Sequence, residues 1–286
     1  MTIHSALQEI ANARDAGTLI PYLGPHVLGL EPASCFVPST PEALVQMLTT
    51  KVSVPHKIRN NLTAAAQFIE NFKHRKSVVS LMNDAYAPSL TPNMLHEYVA
   101  ALNKKPLLIV DTWYDDGMAK ALAGKANWGQ IQGVSQSEHF GEWVKYFDAH
   151  GNMVEPSVAD GWDIVLYKPL GSVSPAKNFI VSDSDFVEVL TEIDIQTPIP
   201  NRVKALRNGA SFLFMGCRFS NQLTRTYARQ VMKRSSDKHW AIIDTPLTRM
   251  EQRFIAEQNI TCIEMPLAEF TQWLQTGKLS ASLAAA

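Results

Sequence analysis

The sequence predicts an α/β fold: a doubly wound, mostly parallel sheet with helices on both faces. Five apolar runs of strand length recur along the chain, TLIPYLG (18–24), PLLIVDT (106–112), DIVLYKP (163–169), SFLFMGC (211–217) and HWAIIDT (239–245), with TCIEM (261–265) as a sixth. Continuous runs of this kind read as strands buried on both faces, as in parallel sheets, rather than as half-exposed strands. Segments of helical period lie between them, among them PEALVQMLTT, TAAAQFIENFKHR, NMLHEYVAALN, NQLTRTYARQVMKR and LTRMEQRFIAEQ. Strands alternating with helices call for parallel crossovers and a sheet covered on both sides. With 286 residues, 46% of them hydrophobic, a chain of this size buries about three quarters of its unfolded surface.

Taken in order, MTIHSALQEIANARDAG alternates polar and apolar residues at helical spacing and reads as an ordinary first helix, without signal-peptide architecture. The first and second strands stand far apart, so residues 31–105 are expected to form a helix-rich insertion. A second insertion over 117–161 holds Trp128, Trp143 and several glycines and reads as irregular with short elements. From Gly209 onward strand and helix alternate at the minimal repeat. The expectation is one domain over 1–279, with the tail SASLAAA (280–286) having no reason to pack.

A formal net charge of -1 with 19% charged residues gives no reason to expect a nucleic-acid partner. No apolar run approaches the roughly 20 residues needed to cross a bilayer, so a cytoplasmic protein without a membrane partner is expected. Cys35, Cys217 and Cys262 are odd in number and far apart, and the eight histidines form no HxxxH or HxH pair. Local spacing therefore offers neither a disulfide framework nor a metal site.

In a doubly wound sheet ligands bind beyond the carboxyl ends of the strands. The five segments found there are YLGPHVLG, VDTWYDDGMAKAL, YKPLGS, FMGCRFSNQLTR and IIDTP. In this order and spacing they resemble the sirtuin-like (silent information regulator 2-like) family of NAD-binding domains. That family carries Gly-Ala-Gly-Val-Ser after its first strand, Thr-Thr-Asn-Tyr-Asp after the second, Lys-Leu-His-Gly-Ser after the third, and a Gly-Tyr-Ser-Leu-type turn opening a later helix. LHEYVAAL and NFIVSDSDFVEVL are also similar to that family's segments at the same places. The resemblance implies a Rossmann-like sheet and a cleft suited to NAD or ADP-ribose.

The departures are chemical. The family's histidine, its general base, falls on Leu170, and a hydrocarbon cannot accept a proton. The asparagine that orients the nicotinamide ribose falls on Trp113, which has a single donor and no acceptor. Gly-Ala-Gly becomes Gly24, Pro25 and His26, so one glycine is lost and a proline removes an N–H. Tyr114 and Asp115 match the tail of the second motif, and Gly171 and Ser172 that of the third. Gly216 and Ser220 fit the later turn, with Asn221 where the family has Asp and Arg225 where it has Arg. Ser220 reads as the N-cap of the helix that follows, and Asp244 ends its strand at a place suited to ribose hydroxyls.

Each candidate has a plain structural reading beside the functional one. His26 is a ligand or a hydrogen-bonded structural histidine; Trp113 stacks on a ligand or fills the cleft. Asp115 and Asp116 cap a helix. Arg218 and Arg225 hold a phosphate, or Arg225 and Arg229 form a solvated face. Cys217 is a buried small residue, His96 is packed, and Trp143, Tyr146 and Phe147 are core to the second insertion. The leading expectation is a catalytically degenerate protein, without lysine deacylase activity, that binds a nucleotide, another small ligand or a protein partner in the former NAD cleft. Its bound anion is expected between Gly24–His26 and Gly216–Ser220. The alternatives are an NAD hydrolase or ADP-ribosyl transferase whose base has moved to His26 or Asp115, and an accessory protein whose cleft is filled.

Overall fold

The computed structural model describes residues 2–33, 35–195 and 199–279; the tail 280–286 lies outside them. The strands are β1 (Leu19–Leu23), β2 (Leu107–Asp111), β3 (Trp128–Gly133), β4 (Val144–Asp148), β5 (Ile164–Lys168), β6 (Gly171–Ser172), β7 (Asn178–Phe179), β8 (Ser211–Met215), β9 (His239–Ile242) and β10 (Ile260–Ile263). Eight of them form one sheet in the order β10-β9-β8-β1-β2-β5-β3-β4, parallel throughout except for β4, which runs antiparallel to β3. β6 and β7 pair separately. This is the expected doubly wound, Rossmann-like sheet, and all six apolar runs supply strands.

The helices are α1 (Ile3–Ala16), α2 (Pro41–Lys51), α3 (Leu62–Lys73), α4 (Arg75–Ala85), α5 (Met94–Ala100), α6 (Gly117–Leu122), α7 (Asp183–Ile195), α8 (Asn201–Arg207), α9 (Gln222–Met232), α10 (Arg249–Glu257) and α11 (Leu267–Thr276). Side-chain caps fix several starts: Thr40 accepts from Ala43 N–H at 3.0 Å before α2, and Asn61 from Ala64 N–H at 3.2 Å before α3. The strands β1, β2, β5 and β8 are buried at every position. One layer of core packs Ile20, Tyr22, Val165, Phe212 and Phe214 against α8, α9 and α10. The other packs Leu19, Leu23, Ile109 and Leu213 against α1, α5, α6 and α11. A third cluster joins α2, α3 and α4 to Trp113, Tyr114 and Phe179.

The first insertion is helical, as expected, through α2 to α5. The second holds short elements, as expected, and two of them, β3 and β4, extend the main sheet beyond β5. Their sequences, WGQIQG and VKYFD, hid them. β3 is fully buried yet carries Gln130 and Gln132, which are satisfied by the carbonyls of Ser174 at 2.9 Å and Ser172 at 3.1 Å. β4 is the partly exposed edge.

Candidate functional site

β1 lies between β2 and β8, so the chain leaves it in one direction along the sheet and later returns on its other side. Such a reversal leaves a crevice at the strand ends. A cavity of about 370 Å³ occupies that position. Pro25 and His26 line it after β1, Thr112 and Trp113 after β2, Leu170 after β5, and Cys217 through Asn221 after β8. Glu42 of α2, Phe186 of α7, and Thr224 and Tyr227 of α9 complete the wall. A second cavity of about 450 Å³ shares His26, Cys217 and Arg218 with it and reaches Gly216 and Asp244. Four strand ends that are distant in sequence thus meet at one opening, with Asp244 next door.

The loop after β1 is built by close backbone packing. A Cβ on Gly24 would lie 2.4 Å from the Gly216 carbonyl oxygen and 2.7 Å from Cys217 Sγ, so only glycine fits there. Gly216 has φ +67, and a Cβ on it would lie 2.6 Å from Val27 N. The contact uses up the loop's donors. Gly24 N–H donates to Met215 O at 2.9 Å, His26 N–H to Gly216 O at 3.1 Å and Val27 N–H to Gly24 O at 3.2 Å, while Pro25 has none. On this side of the expected anion position, between Gly24–His26 and Gly216–Ser220, the loop N–H groups are already bonded within the protein. His26 is a surface residue at the boundary between the cavities, with its ring partly screened from water by their walls. Its pKa lies below the usual imidazole value, chiefly through burial, with Arg218 adding to that effect and Glu42 and Asp244 opposing it.

Trp113 is 4% exposed and lines the cavity without filling it. Its indole N–H donates to Pro38 O at 2.7 Å, and its ring packs 5.0 Å from that of Tyr114. Leu170 is partly buried and stands in the same wall. Tyr114, Asp115, Gly171 and Ser172 line neither cavity. They are buried in the packing beside Trp113, where each has a structural partner. The Tyr114 hydroxyl donates to Ile180 O at 2.9 Å, and Ser172 Oγ to Asp115 O at 3.2 Å. Asp115 Oδ1 accepts from Gly117 N–H at 2.8 Å and turns the chain into α6. Gly171, at φ +88, pairs with Phe179.

After β8, Arg218 is held by Glu251, whose two carboxylate oxygens accept from Nε and Nη2 at 2.8 Å each. Burial alone would raise the Glu251 pKa, yet bonds from Arg218 and Thr248 hold it at about 2. Arg225 Nη1 donates to the carbonyls of Phe219 and Ser220 at 2.6 and 2.9 Å, and Arg229 pairs with Glu257. The N-cap of α9 is Asn221, which accepts from Thr224 N–H at 2.8 Å; Ser220, expected in that role, is exposed on the cavity wall. Cys217 is buried, and burial pushes its thiol pKa up, away from nucleophilic use. His96 is buried and closes a capping box with Asn93.

One pair went unread in the sequence. Lys168 Nζ lies 2.7 Å from Asp111 Oδ2, with side chains 2% and 4% exposed, and donates also to Asp115 O at 2.8 Å. Burial raises the Asp111 carboxyl above the usual range despite the ammonium beside it. The signal was Lys168 near the end of DIVLYKP and Asp111 near the end of PLLIVDT, opposite charges closing two apolar runs.

A family model described as a SIR2-like domain matches residues 107–263, more than half of the chain. The chain belongs to the SIR2-like family. The match runs from β2 into β10 and so takes in the strand ends carrying Trp113, Leu170 and Gly216, whereas the loop Gly24–His26 precedes it. No match was found among curated proteins. SIR2-like domains are in general NAD-related, so NAD is the cofactor against which this cleft is measured. The first loop does not fit that cofactor's pyrophosphate, since its N–H groups are already bonded within the protein. Among the described residues of this SIR2-like chain, no helix is long and apolar enough to cross a membrane, and no three His, Cys, Asp or Glu side chains gather as a metal site.

Proposed function

We propose that this protein is a catalytically silent member of the SIR2-like family that holds a small ligand in the cleft and does not deacylate lysine. One observation carries the reading: Leu170, at the place of the family's general base, stands in the wall of an open cavity of about 370 Å³. The pocket survives while the proton acceptor does not. General-base catalysis needs a titratable group within hydrogen-bond reach of the hydroxyl it activates, and the aliphatic side chain offers none. Trp113 supports the same reading, because its only hydrogen-bonding group is spent on Pro38 O. Cavity volume beside both Pro25 and Trp113 argues against an accessory protein with a filled cleft.

The experiment is native mass spectrometry of the freshly purified chain, with release and identification of bound small molecules. The expected result is a ligand of one mass that is absent from a Ser220→Trp variant with an unchanged melting temperature. A wild-type chain that carries nothing and shows no thermal shift with any small heterocycle or nucleotide would end the reading. A second reading, an NAD hydrolase with a relocated base, draws on His26, whose ring faces the same cavity. Asp115, the other candidate for that role, is 2% exposed and committed to Gly117, so His26 is left to carry it. Nicotinamide release that disappears in His26→Ala would establish this second reading in place of the first.

A further inference from the structure

The cleft's own groups restrict what it can hold, on the reading that it is an open ligand site. Its wall is aromatic: Tyr22, Trp113, Phe186, Phe219 and Tyr227 all line it, and flat ring systems lie well against such side chains. An anion needs unspent N–H donors or cations, and those of the first loop and of the Arg218 side chain are committed. The loop N–H groups of Gly24, His26 and Val27 bond to carbonyls. Arg218 is neutralised by both oxygens of Glu251, and Phe219 N–H donates to that carboxylate at 3.2 Å. Of the charged residues lining the two cavities, Glu42 on the cleft wall and Asp244 in the adjoining cavity have no bonded partner among the described residues, and both are negative. A phosphate entering here would meet like charge, which opposes its binding.

We infer that the cleft takes a planar, phosphate-free heterocycle of nucleoside size and excludes the pyrophosphate of a dinucleotide. The size of the cavity agrees, since about 370 Å³ lies toward the lower end of small-molecule pockets. The His26 pKa lies below the usual imidazole value, which disfavours a positive charge on the rim. The exposed Ser220 hydroxyl on the wall is placed to meet a ligand hydroxyl.

Isothermal titration of the full chain with adenosine, AMP and ADP-ribose, and with nicotinamide riboside and NAD, tests this. The expected result is that at least one nucleoside binds and that each added phosphate weakens it by about tenfold or more. The Glu42→Gln and Asp244→Asn double variant should narrow that gap. Tighter binding of ADP-ribose or NAD than of the matching nucleoside would overturn the inference while leaving the cleft reading in place, and so would the absence of binding by either nucleoside. Nucleoside binding unchanged in Ser220→Trp would place the ligand elsewhere and overturn the cleft reading as well.

Discussion

Leu170 and Trp113 decide whether the strand ends do chemistry or only keep its shape. Both stand on the wall of the cavity. Restoring the family's residues there is a direct check. The double variant Trp113→Asn and Leu170→His is expected to release no nicotinamide from NAD above the spontaneous rate, because the loop at Gly24–His26 still has no donor for a pyrophosphate. Turnover by that variant would mean that the cofactor site is intact. Residue-level reading was weakest where the motif tails matched the family, at Tyr114, Asp115, Gly171 and Ser172. A motif fixes a backbone path, and these side chains serve that path through bonds to Ile180 O, Gly117 N–H and Asp115 O. Their side chains serve packing here, which a sequence does not separate from ligand contact.

Between elements, two buried polar contacts hold neighbouring strands. Lys168 of β5 and Asp111 of β2 form the first. Lys168→Met leaves the carboxylate buried and alone, and should cost about 3 to 5 kcal/mol in urea denaturation. Adding Asp111→Leu removes the orphaned charge and should recover most of that loss. The second contact joins β8 and β9, where Phe212 N–H donates to His239 Nδ1 at 3.0 Å. Burial lowers the His239 pKa to about 4, against smaller opposing effects from Ser236 and Asp237. A free imidazole titrates near about 6.5, so the unfolded chain takes up its proton first. Stability from this ring is therefore complete above that value and is lost as the pH falls from about 6.5 toward about 4. Melting temperatures of the wild type should drop across that window, with a shallower slope in His239→Gln; equal slopes would contradict the assignment.

Across the whole molecule, the cleft follows from strand order: β1 sits between β2 and β8, and the crevice opens where the sheet's winding reverses. That much was legible, because strands buried on both faces leave long apolar runs that local turns do not obscure. β3 and β4 were not legible, since buried glutamines and a partly exposed edge both break the apolar signal. The cleft's electrostatics were also hidden. Glu251 lies far along the chain from Arg218 yet neutralises it, and the bonding of Gly24 and His26 to β8 and its turn needs the two strand ends side by side. The central claim is that an open SIR2-like cleft persists without its proton acceptor. Its most direct test is incubation of the wild-type chain with NAD and an acyl-lysine peptide, following nicotinamide and deacylated peptide by chromatography. Neither product should rise above a heat-denatured control; enzyme-dependent formation of deacylated peptide would contradict the account.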